Sequence, residues 1–319
     1  MNKIFVTRQL PNKKLINKLE EFFIVDVWEE EDPPSKSKLQ ERSKGCWGLL
    51  TMLTEKIDLD LISSNPSLKI IANMAVGYDN IDINAANKFS IQVTNTPDVL
   101  TRSTAELTIA LIFVIAKRLQ EGNAAIRNSE WGPWHPNWMI GKDLNNAKIG
   151  IIGPGKIGQE VAKIAKNLNM NVMYYGKSPK NGFPGEFVNL NKLLKNADFI
   201  SVHLSLNEET KNFINMRHFT IMKKDAVLIN TSRGKIINQI DLENAIKRKI
   251  IGGAALDVTD PEPLPATSEL LKMQNVFISP HLGSATKKTR TDMAELAIKN
   301  LIEFNAGRIP PNAIDEEGV

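Results

Sequence analysis

Residues 148–158 read KIGIIGPGKIG, and this stretch decides the fold of the chain. An apolar strand pattern ends at Gly153, and Gly155 and Gly158 complete the spacing G-x-G-x-x-G before an apolar helical pattern begins. The first glycine of such a turn permits a tight bend, the second lets the backbone approach a pyrophosphate, and the third lets the helix pack against the strand. Since the N–H groups at the helix N-terminus then face the phosphates, the stretch predicts a dinucleotide-binding site.

The chain after this turn alternates strand and helix patterns. Helical patterns near 190–195, 216–222 and 241–247 separate the later strands. The five further predicted strands are NVMYYG (171–176), DFISVHL (198–204), AVLINTS (226–232), GGAALDV (252–258) and NVFISP (275–280). This alternation is typical of a doubly wound Rossmann domain.

The first hundred residues also alternate, but no glycine fingerprint follows any of their strands. Polar helical stretches near 13–20, 37–43 and 58–63 separate the apolar ones. The predicted strands are KIFVTR (3–8), FFIVDVW (22–28), CWGLLT (46–51) and KIIANM (69–74). We therefore expect a smaller, flavodoxin-like parallel α/β domain without a nucleotide signature.

Two helical patterns set the expected domain boundaries. One continuous helix is predicted between Thr101 and Gly122, and a long amphipathic helix between Thr289 and Phe304. Because the second domain is complete before the last helix, we expect that helix to return to the first domain. The predicted domains are thus 1–100 completed by 288–319, and 101–287 inserted between them.

Composition narrows the possible functions. The 319 residues carry 40 Lys+Arg and 36 Asp+Glu, a net charge of +4, with the charges interspersed. Without a basic run, this favours a mixed solvated surface over nucleic-acid binding. The single cysteine, Cys46, lies in an apolar run and is expected in the core of a protein from a reducing compartment. The N-terminus lacks a signal-peptide segment and 107–116 is too short to span a bilayer, so a cytoplasmic protein without membrane contact is predicted.

Three reactive side chains follow predicted strands of the second domain. Arg233 lies in NTSRGK, Glu262 in DPEPLP and His281 in SPHLGSAT. Because ligands of an open parallel sheet bind outside the carboxyl ends of its strands, we expect all three near the nicotinamide end of a dinucleotide. Each also has a plain alternative: a solvated arginine, an exposed proline turn, and a histidine that caps a helix. The histidines and the cysteine show no metal-ligand spacing, so no metal site is expected.

These stretches resemble the D-isomer-specific 2-hydroxyacid dehydrogenases over essentially the whole chain. The matching motifs also include NMAVGYDNID (73–82) and TNTPDVLT (94–101). Within the family the resemblance is to glyoxylate/hydroxypyruvate reductases, with 2-ketogluconate reductases nearby. It implies that the substrate lies between the two sheet domains.

The resemblance also implies a role for each reactive side chain. His281 would protonate the carbonyl oxygen as hydride reaches the carbonyl carbon. Glu262 would hold the imidazole and favour its charged form, and Arg233 would bind the substrate carboxylate and polarise the 2-oxo group. The backbone N–H groups of Val76 and Gly77 would be further carboxylate ligands.

The cofactor site is predicted from the same resemblance. Asp257 would accept a hydrogen bond from the cofactor carboxamide. The full set of predicted cofactor-binding residues is Thr104, Gly153, Gly155, Lys156, Ile157, Gly158, Gly176, Lys177, Ser178, Leu204, Ser205, Thr210, Thr231, Ser232, Asp257, His281 and Gly283.

The end of the second Rossmann strand predicts which dinucleotide binds. NAD-binding proteins usually carry an acidic residue there, which accepts hydrogen bonds from the adenine ribose. This chain has Gly176, followed by Lys177 and Ser178. Loss of the carboxylate removes repulsion against a 2′-phosphate, and the next two residues supply a cation and a hydroxyl, so NADP(H) is expected over NAD(H). The alternative is that Lys177 is a solvated turn residue.

Apolar residues in one loop suggest a partner subunit. The stretch WGPWHPNWMIGK (131–142) holds three tryptophans and two prolines and cannot form a regular helix. We expect a homodimer joined through the cofactor domain, or else rings that pack on their own domain. His135 in this loop is a possible substrate contact, whereas His203 is expected to be structural and His218 to lie on a helix surface.

The sequence thus predicts an NADPH-dependent reductase of small 2-oxo acids such as glyoxylate and hydroxypyruvate. A 2-ketogluconate reductase of the same family is one alternative. A second alternative, from another class, is a dinucleotide-sensing binding protein like the C-terminal-binding-protein corepressors.

Overall fold

The computed structural model describes residues 1–314, and these form two compact units. The first unit consists of Met1–Leu100 together with the chain from Thr286 onward, and the second of Thr101–Ala285. The last five positions of the predicted 288–319 segment lie outside the described residues.

Twelve strands and eleven α-helices make up the described chain. The strands are β1 (Asn2–Val6), β2 (Phe23–Val27), β3 (Gly48–Thr51), β4 (Ile70–Asn73), β5 (Gln92–Thr94), β6 (Lys148–Ile152), β7 (Asn171–Tyr175), β8 (Glu186–Phe187), β9 (Phe199–Val202), β10 (Val227–Asn230), β11 (Gly253–Leu256) and β12 (Val276–Ile278). The helices are α1 (Lys13–Glu20), α2 (Lys36–Ser43), α3 (Leu59–Ser63), α4 (Ile83–Lys88), α5 (Thr101–Ala116), α6 (Leu119–Arg127), α7 (Lys156–Asn167), α8 (Leu190–Asn196), α9 (Met216–Phe219), α10 (Gln239–Lys247) and α11 (Lys287–Asn305).

The first unit is built on a five-stranded parallel sheet. Its strand order, β2-β1-β3-β4-β5, is the flavodoxin-like order. Buried side chains alternate between the two faces of each strand, so that Phe5 and Leu49 join the core under α2, α3 and α4. Helix α11 packs on β3 and β4 from within the same unit.

The second unit is built on a seven-stranded parallel sheet. The order β12-β11-β10-β9-β6-β7-β8 places the first strand, β6, beside the fourth, β9, which is the topological switch point of a Rossmann fold. Ile149 and Ile151 face a core shared with α5 and α7, whereas Ile152 faces a second core with α8 and α10. The two-domain parallel α/β fold predicted from the sequence is confirmed.

The predicted helix between Thr101 and Gly122 is wrong in one respect, because it is two helices. Helix α5 ends at Ala116, and Arg118 has a left-handed φ of 53° before α6 begins. That conformation breaks the helical hydrogen-bond pattern, and apolar periodicity does not report it. Strands β5 and β8 and helix α4 were not predicted from the sequence.

Two kinds of helix are absent from the described residues. The stretch 131–142 contains no helix, as its prolines predicted. Among residues 1–314, no helix is both long and apolar enough to cross a membrane.

Candidate active site

In the glycine turn after β6, two of the three glycines have no space for a side chain and the third does. Gly153 has a φ of 99°, and a Cβ there would lie 2.7 Å from the carbonyl oxygen of His203 at the end of β9. A Cβ at Gly158 would overlap the carbonyl oxygen of Gly153. Gly155, by contrast, is the N-cap of α7 and a Cβ there would meet no protein atom within 4 Å. The protein itself therefore requires the first and third glycines, and the open space at the second fits a pyrophosphate.

The end of β7 packs against this turn. A Cβ at Gly176 would lie 2.7 Å from the ring of Pro154, which stands between the first two glycines. Glycine at this position thus has a packing reason. Lys177 is 92% exposed at its side chain, and its Nζ lies 3.5 Å from Glu209 Oε2. Ser178 is exposed beside it.

The loop after β10 carries Arg233. Asn230, the buried last residue of β10, donates from Nδ2 to the Arg233 carbonyl oxygen (2.9 Å) and accepts from the Ser232 N–H and hydroxyl. A Cβ at Gly234 would overlap the backbone of Thr259. Gly234 therefore allows the Arg233 loop to touch the segment that leads from Thr259 to Glu262.

His281 and Glu262 form a direct pair in the second unit. His281 Nδ1 lies 2.6 Å from Glu262 Oε1, and both side chains are partly exposed. Burial raises the pKa of Glu262, but the hydrogen bond and charge of His281, with smaller contributions from Thr259 and Arg233, lower that pKa on balance. The Glu262 carboxylate is thus ionised through the neutral range.

The turn that carries His281 is held by one buried carboxylate. Asp257, 2% exposed, accepts from the Ser279 hydroxyl (2.6 Å) and the Leu282 N–H (2.7 Å) at Oδ1, and from the Gly283 N–H (2.9 Å) at Oδ2. Its backbone oxygen also accepts from the His281 N–H at 2.9 Å. His281 has a left-handed φ of 54°, which this set of hydrogen bonds maintains.

Helix α5 fastens two of the loops at this edge of the sheet. The Thr104 hydroxyl donates to the Gly283 carbonyl oxygen at 3.1 Å. One turn later, Thr108 Oγ1 lies 2.9 Å from Thr231 Oγ1 at the end of β10. Thr108, Asn230 and Ser279 were not among the site residues predicted from the sequence. Their positions could have indicated them: Asn230 and Ser279 are polar residues at or next to a strand end, and Thr108 lies one helical turn after Thr104.

The other predicted cofactor residues lie along the same edge. Lys156 and Ile157 open α7. Leu204 and Ser205 follow β9, and the Thr210 hydroxyl donates to the Ser205 carbonyl oxygen at 2.7 Å. The structure therefore brings together, at the carboxyl edge of the seven-stranded sheet, all predicted site residues of the second unit. Val76 and Gly77 belong to the first unit, where they follow β4 and are partly exposed.

The remaining histidines differ in their surroundings. Burial lowers the pKa of His203 to about 3, and its Nε2 lies 2.8 Å from Ser201 Oγ. His218 lies in α9, as predicted, and it is partly exposed. Its ring stacks on Phe213 and caps the helix. His135 is exposed in its loop. Across residues 1–314, no three His, Cys, Asp or Glu side chains cluster as a metal site would require.

A dinucleotide turn and a histidine–carboxylate pair at one edge of a Rossmann sheet define the class, a nicotinamide-dependent oxidoreductase. The profile of the D-isomer specific 2-hydroxyacid dehydrogenase NAD binding domain matches residues 109–283. The chain belongs to that family of enzymes.

The relatives below are similar to this chain along nearly its full length. A glyoxylate reductase of Korarchaeum cryptofilum is 44% identical, over 99% of this chain and 97% of its own. The crystal structure of a Thermus thermophilus protein is 41% identical, with a TM-score of 0.93, covering 98% of this chain and 100% of that one. A Sinorhizobium meliloti NADPH-dependent glyoxylate/hydroxypyruvate reductase, in complex with NADP and malonate, is 27% identical with a TM-score of 0.86, covering 99% and 98%.

We predict that Gly234→Ala abolishes most of the turnover, because its methyl group would push the Arg233 loop away from the Thr259 backbone. The matched control is Gly122→Ala, where a Cβ meets no atom within 4 Å. The measurement is kcat/KM for a 2-oxo acid together with the thermal unfolding midpoint. Normal turnover in folded Gly234→Ala would show that the close approach of the two loops is not needed.

Proposed function

We propose that the protein reduces glyoxylate and hydroxypyruvate to the corresponding 2-hydroxy acids with NADPH, giving the D-isomer where the product is chiral, and that His281 is the general acid. The observation that carries this proposal is the 2.6 Å contact between His281 Nδ1 and Glu262 Oε1, in the same unit as Arg233. The names of the full-length relatives support the substrate class. They do not favour 2-ketogluconate reduction or a corepressor-like binding protein.

The protonation states of the pair follow from its geometry. The Glu262 carboxylate can only accept, so His281 donates from Nδ1 and its Nε2 is left to face a substrate. A protonated imidazole then donates the Nε2 proton to a carbonyl oxygen as that oxygen gains negative charge. A reduced nicotinamide, when bound, would supply the hydride to the carbonyl carbon.

The substrate carboxylate is assigned to Arg233 and to the backbone N–H groups of Val76 and Gly77. The guanidinium is always charged and offers paired donors that match a carboxylate. Two backbone N–H groups add donors without a side chain that could exclude a small substrate.

For the cofactor, we propose that NADP(H) binds in preference to NAD(H). Lys177 supports this, since it is exposed and its weak surface pair with Glu209 costs little to exchange for a 2′-phosphate. The Gly153–Gly158 turn would hold the pyrophosphate. Asp257 Oδ2 accepts one hydrogen bond from protein and keeps a lone pair that suits the cofactor carboxamide.

For assembly, we propose a homodimer joined through the second unit. Trp134 is 85% exposed and Trp131 67% exposed within one loop, an apolar surface that a second copy would cover. A cytoplasmic location stays a prediction from the sequence.

His281→Ala is expected to lower kcat by about 10²–10⁴-fold, since general acid catalysis contributes that much. Binding of NADPH, followed by its fluorescence, should be nearly unchanged. Glu262→Gln should move the basic limb of the pH–rate profile to lower pH, because the neutral amide no longer favours the charged imidazole. An active His281→Ala enzyme, or an unmoved profile in Glu262→Gln, would contradict these two roles.

Lys177→Ala is expected to reduce the NADPH/NADH ratio of kcat/KM by about 10- to 100-fold, the size of one charge-assisted contact. High salt should reduce the wild-type ratio as well, because an exposed ion pair is screened. Lys195→Ala, which removes an exposed cation from α8, is the control. Gly176→Asp is a poorer test, since its Cβ would crowd Pro154. A wild-type preference for NADH would refute the proposal.

Sedimentation at micromolar concentration is expected to show a dimer. Trp134→Glu should shift it to monomer, because a buried charge in the interface is costly. Ile309→Glu is the control, as Ile309 is equally exposed, at 85%, in the first unit. A monomeric wild type, or a dimer unaffected by Trp134→Glu, would argue for another surface.

A further inference from the structure

Three successive carbonyl groups of the first unit are each held by a hydrogen bond. The Ala75 carbonyl oxygen accepts from the Thr96 N–H at 2.8 Å. The Val76 carbonyl oxygen accepts from Asn95 Nδ2 at 2.8 Å, and the Gly77 carbonyl oxygen accepts from Asn73 Nδ2 at 3.0 Å. All three peptide units follow β4, at the carboxyl edge of the five-stranded sheet.

Holding a carbonyl group also orients the next N–H. The peptide unit is planar and trans, so its C=O and N–H point in opposite directions. The bond to the Ala75 oxygen therefore orients the Val76 N–H, and the bond to the Val76 oxygen orients the Gly77 N–H. Within residues 1–314, neither N–H donates to a protein acceptor, and both residues are partly exposed.

The two amide side chains are themselves fixed. A carbonyl oxygen can only accept, so the nitrogen of each amide must face it and the amide orientation is settled. Asn73 is fully buried, and its Oδ1 accepts from the Thr51 hydroxyl at 3.2 Å. The backbone of Asn95 is held from both sides, by Asn300 Nδ2 and by the Asn312 carbonyl oxygen. Neither amide contributes to a helix cap or a strand ladder.

We propose that Asn95 is a positioning residue for the substrate carboxylate, acting through the Val76–Gly77 peptide. Its Nδ2 holds the Val76 carbonyl turned away, so that the Gly77 N–H is aimed at the anion before the substrate binds. Asn73 holds the following peptide in the same way. This inference rests on the proposed function, since it takes Val76 and Gly77 as carboxylate ligands.

The reason for an amide at this place is pre-organisation. A free peptide between a valine and a glycine can rotate, and substrate would have to order it on binding. An anchored peptide presents its N–H dipole without that cost. The oriented Gly77 N–H forms a stronger hydrogen bond with a charged carboxylate than with a neutral group. Asn95 therefore makes the site selective for acids.

The test compares two substrates in the Asn95→Leu enzyme, which keeps nearly the same side-chain size and adds no charge. For glyoxylate we expect kcat/KM to fall about tenfold or more, the effect of one charge-assisted hydrogen bond, mostly through KM. For methyl glyoxylate, which has no carboxylate, kcat/KM should be nearly unchanged. NADPH binding, measured by fluorescence without substrate, should also be unchanged.

Gln92→Leu is the matched control, because Gln92 Nε2 also donates to a backbone oxygen in the first unit, that of Val93 at 2.9 Å. Asn95→Ala serves if Asn95→Leu does not fold. Equal losses for the ester and the acid, or an unchanged KM for glyoxylate, would overturn the positioning role. Failure of the proposed function would show differently, as a wild-type enzyme that does not reduce glyoxylate at all.

Discussion

The carboxyl group of Asp257 is buried directly after β11, and it is stable there because hydrogen-bond donors surround it. A polar group with so little exposure must be hydrogen-bonded, and the donors to its two oxygens all come from the turn 279–283. The same constraint therefore orders the turn and places His281, whose φ of 54° would otherwise be unfavourable. The His281–Glu262 pair depends on these hydrogen bonds, because they fix the backbone from which the imidazole reaches Glu262.

Close contacts between backbones decide which loops meet at the site. Gly153 lies against His203, Gly158 against Gly153, and Gly234 against Thr259, in each case at a distance that a side chain would prevent. The first two bring β6, β9 and α7 together around the pyrophosphate turn. The third joins the Arg233 loop to the segment that carries Glu262. Within the turn after β6, Gly153 and Gly158 are needed for packing, whereas Gly155 leaves room for a ligand.

Both sheets use polar side chains at their carboxyl edges, and Asn73, Asn230 and Asp257 among them are buried. In the second unit, Asn230 and Asp257 stabilise loops that carry an arginine and a histidine. In the first unit, Asn73 and Asn95 stabilise the loop of Val76 and Gly77, whose backbone N–H groups are the proposed carboxylate ligands. A backbone donor cannot change its protonation state, which suits it to binding an anion at any pH, whereas the His281–Glu262 pair is suited to transfer a proton. The first unit thus has an arrangement suited to the proposed binding of the carboxylate, and the second unit has one suited to the proposed proton transfer.

The sequence by itself determined the fold class, the two alternating series of strands, and the three stretches that carry Arg233, Glu262 and His281. Apolar periodicity and glycine spacing are local properties, and they are legible without coordinates. The break at Arg118 was not predicted, because a single left-handed residue leaves no trace in a hydrophobic pattern. The packing of Gly176 on Pro154, the four hydrogen bonds accepted by Asp257 and the anchoring of Val76 by Asn95 were decided only by the tertiary structure. Each joins residues about 20 positions or more apart, and which distant strand ends become neighbours is set by the packing of the sheet and not by any local pattern.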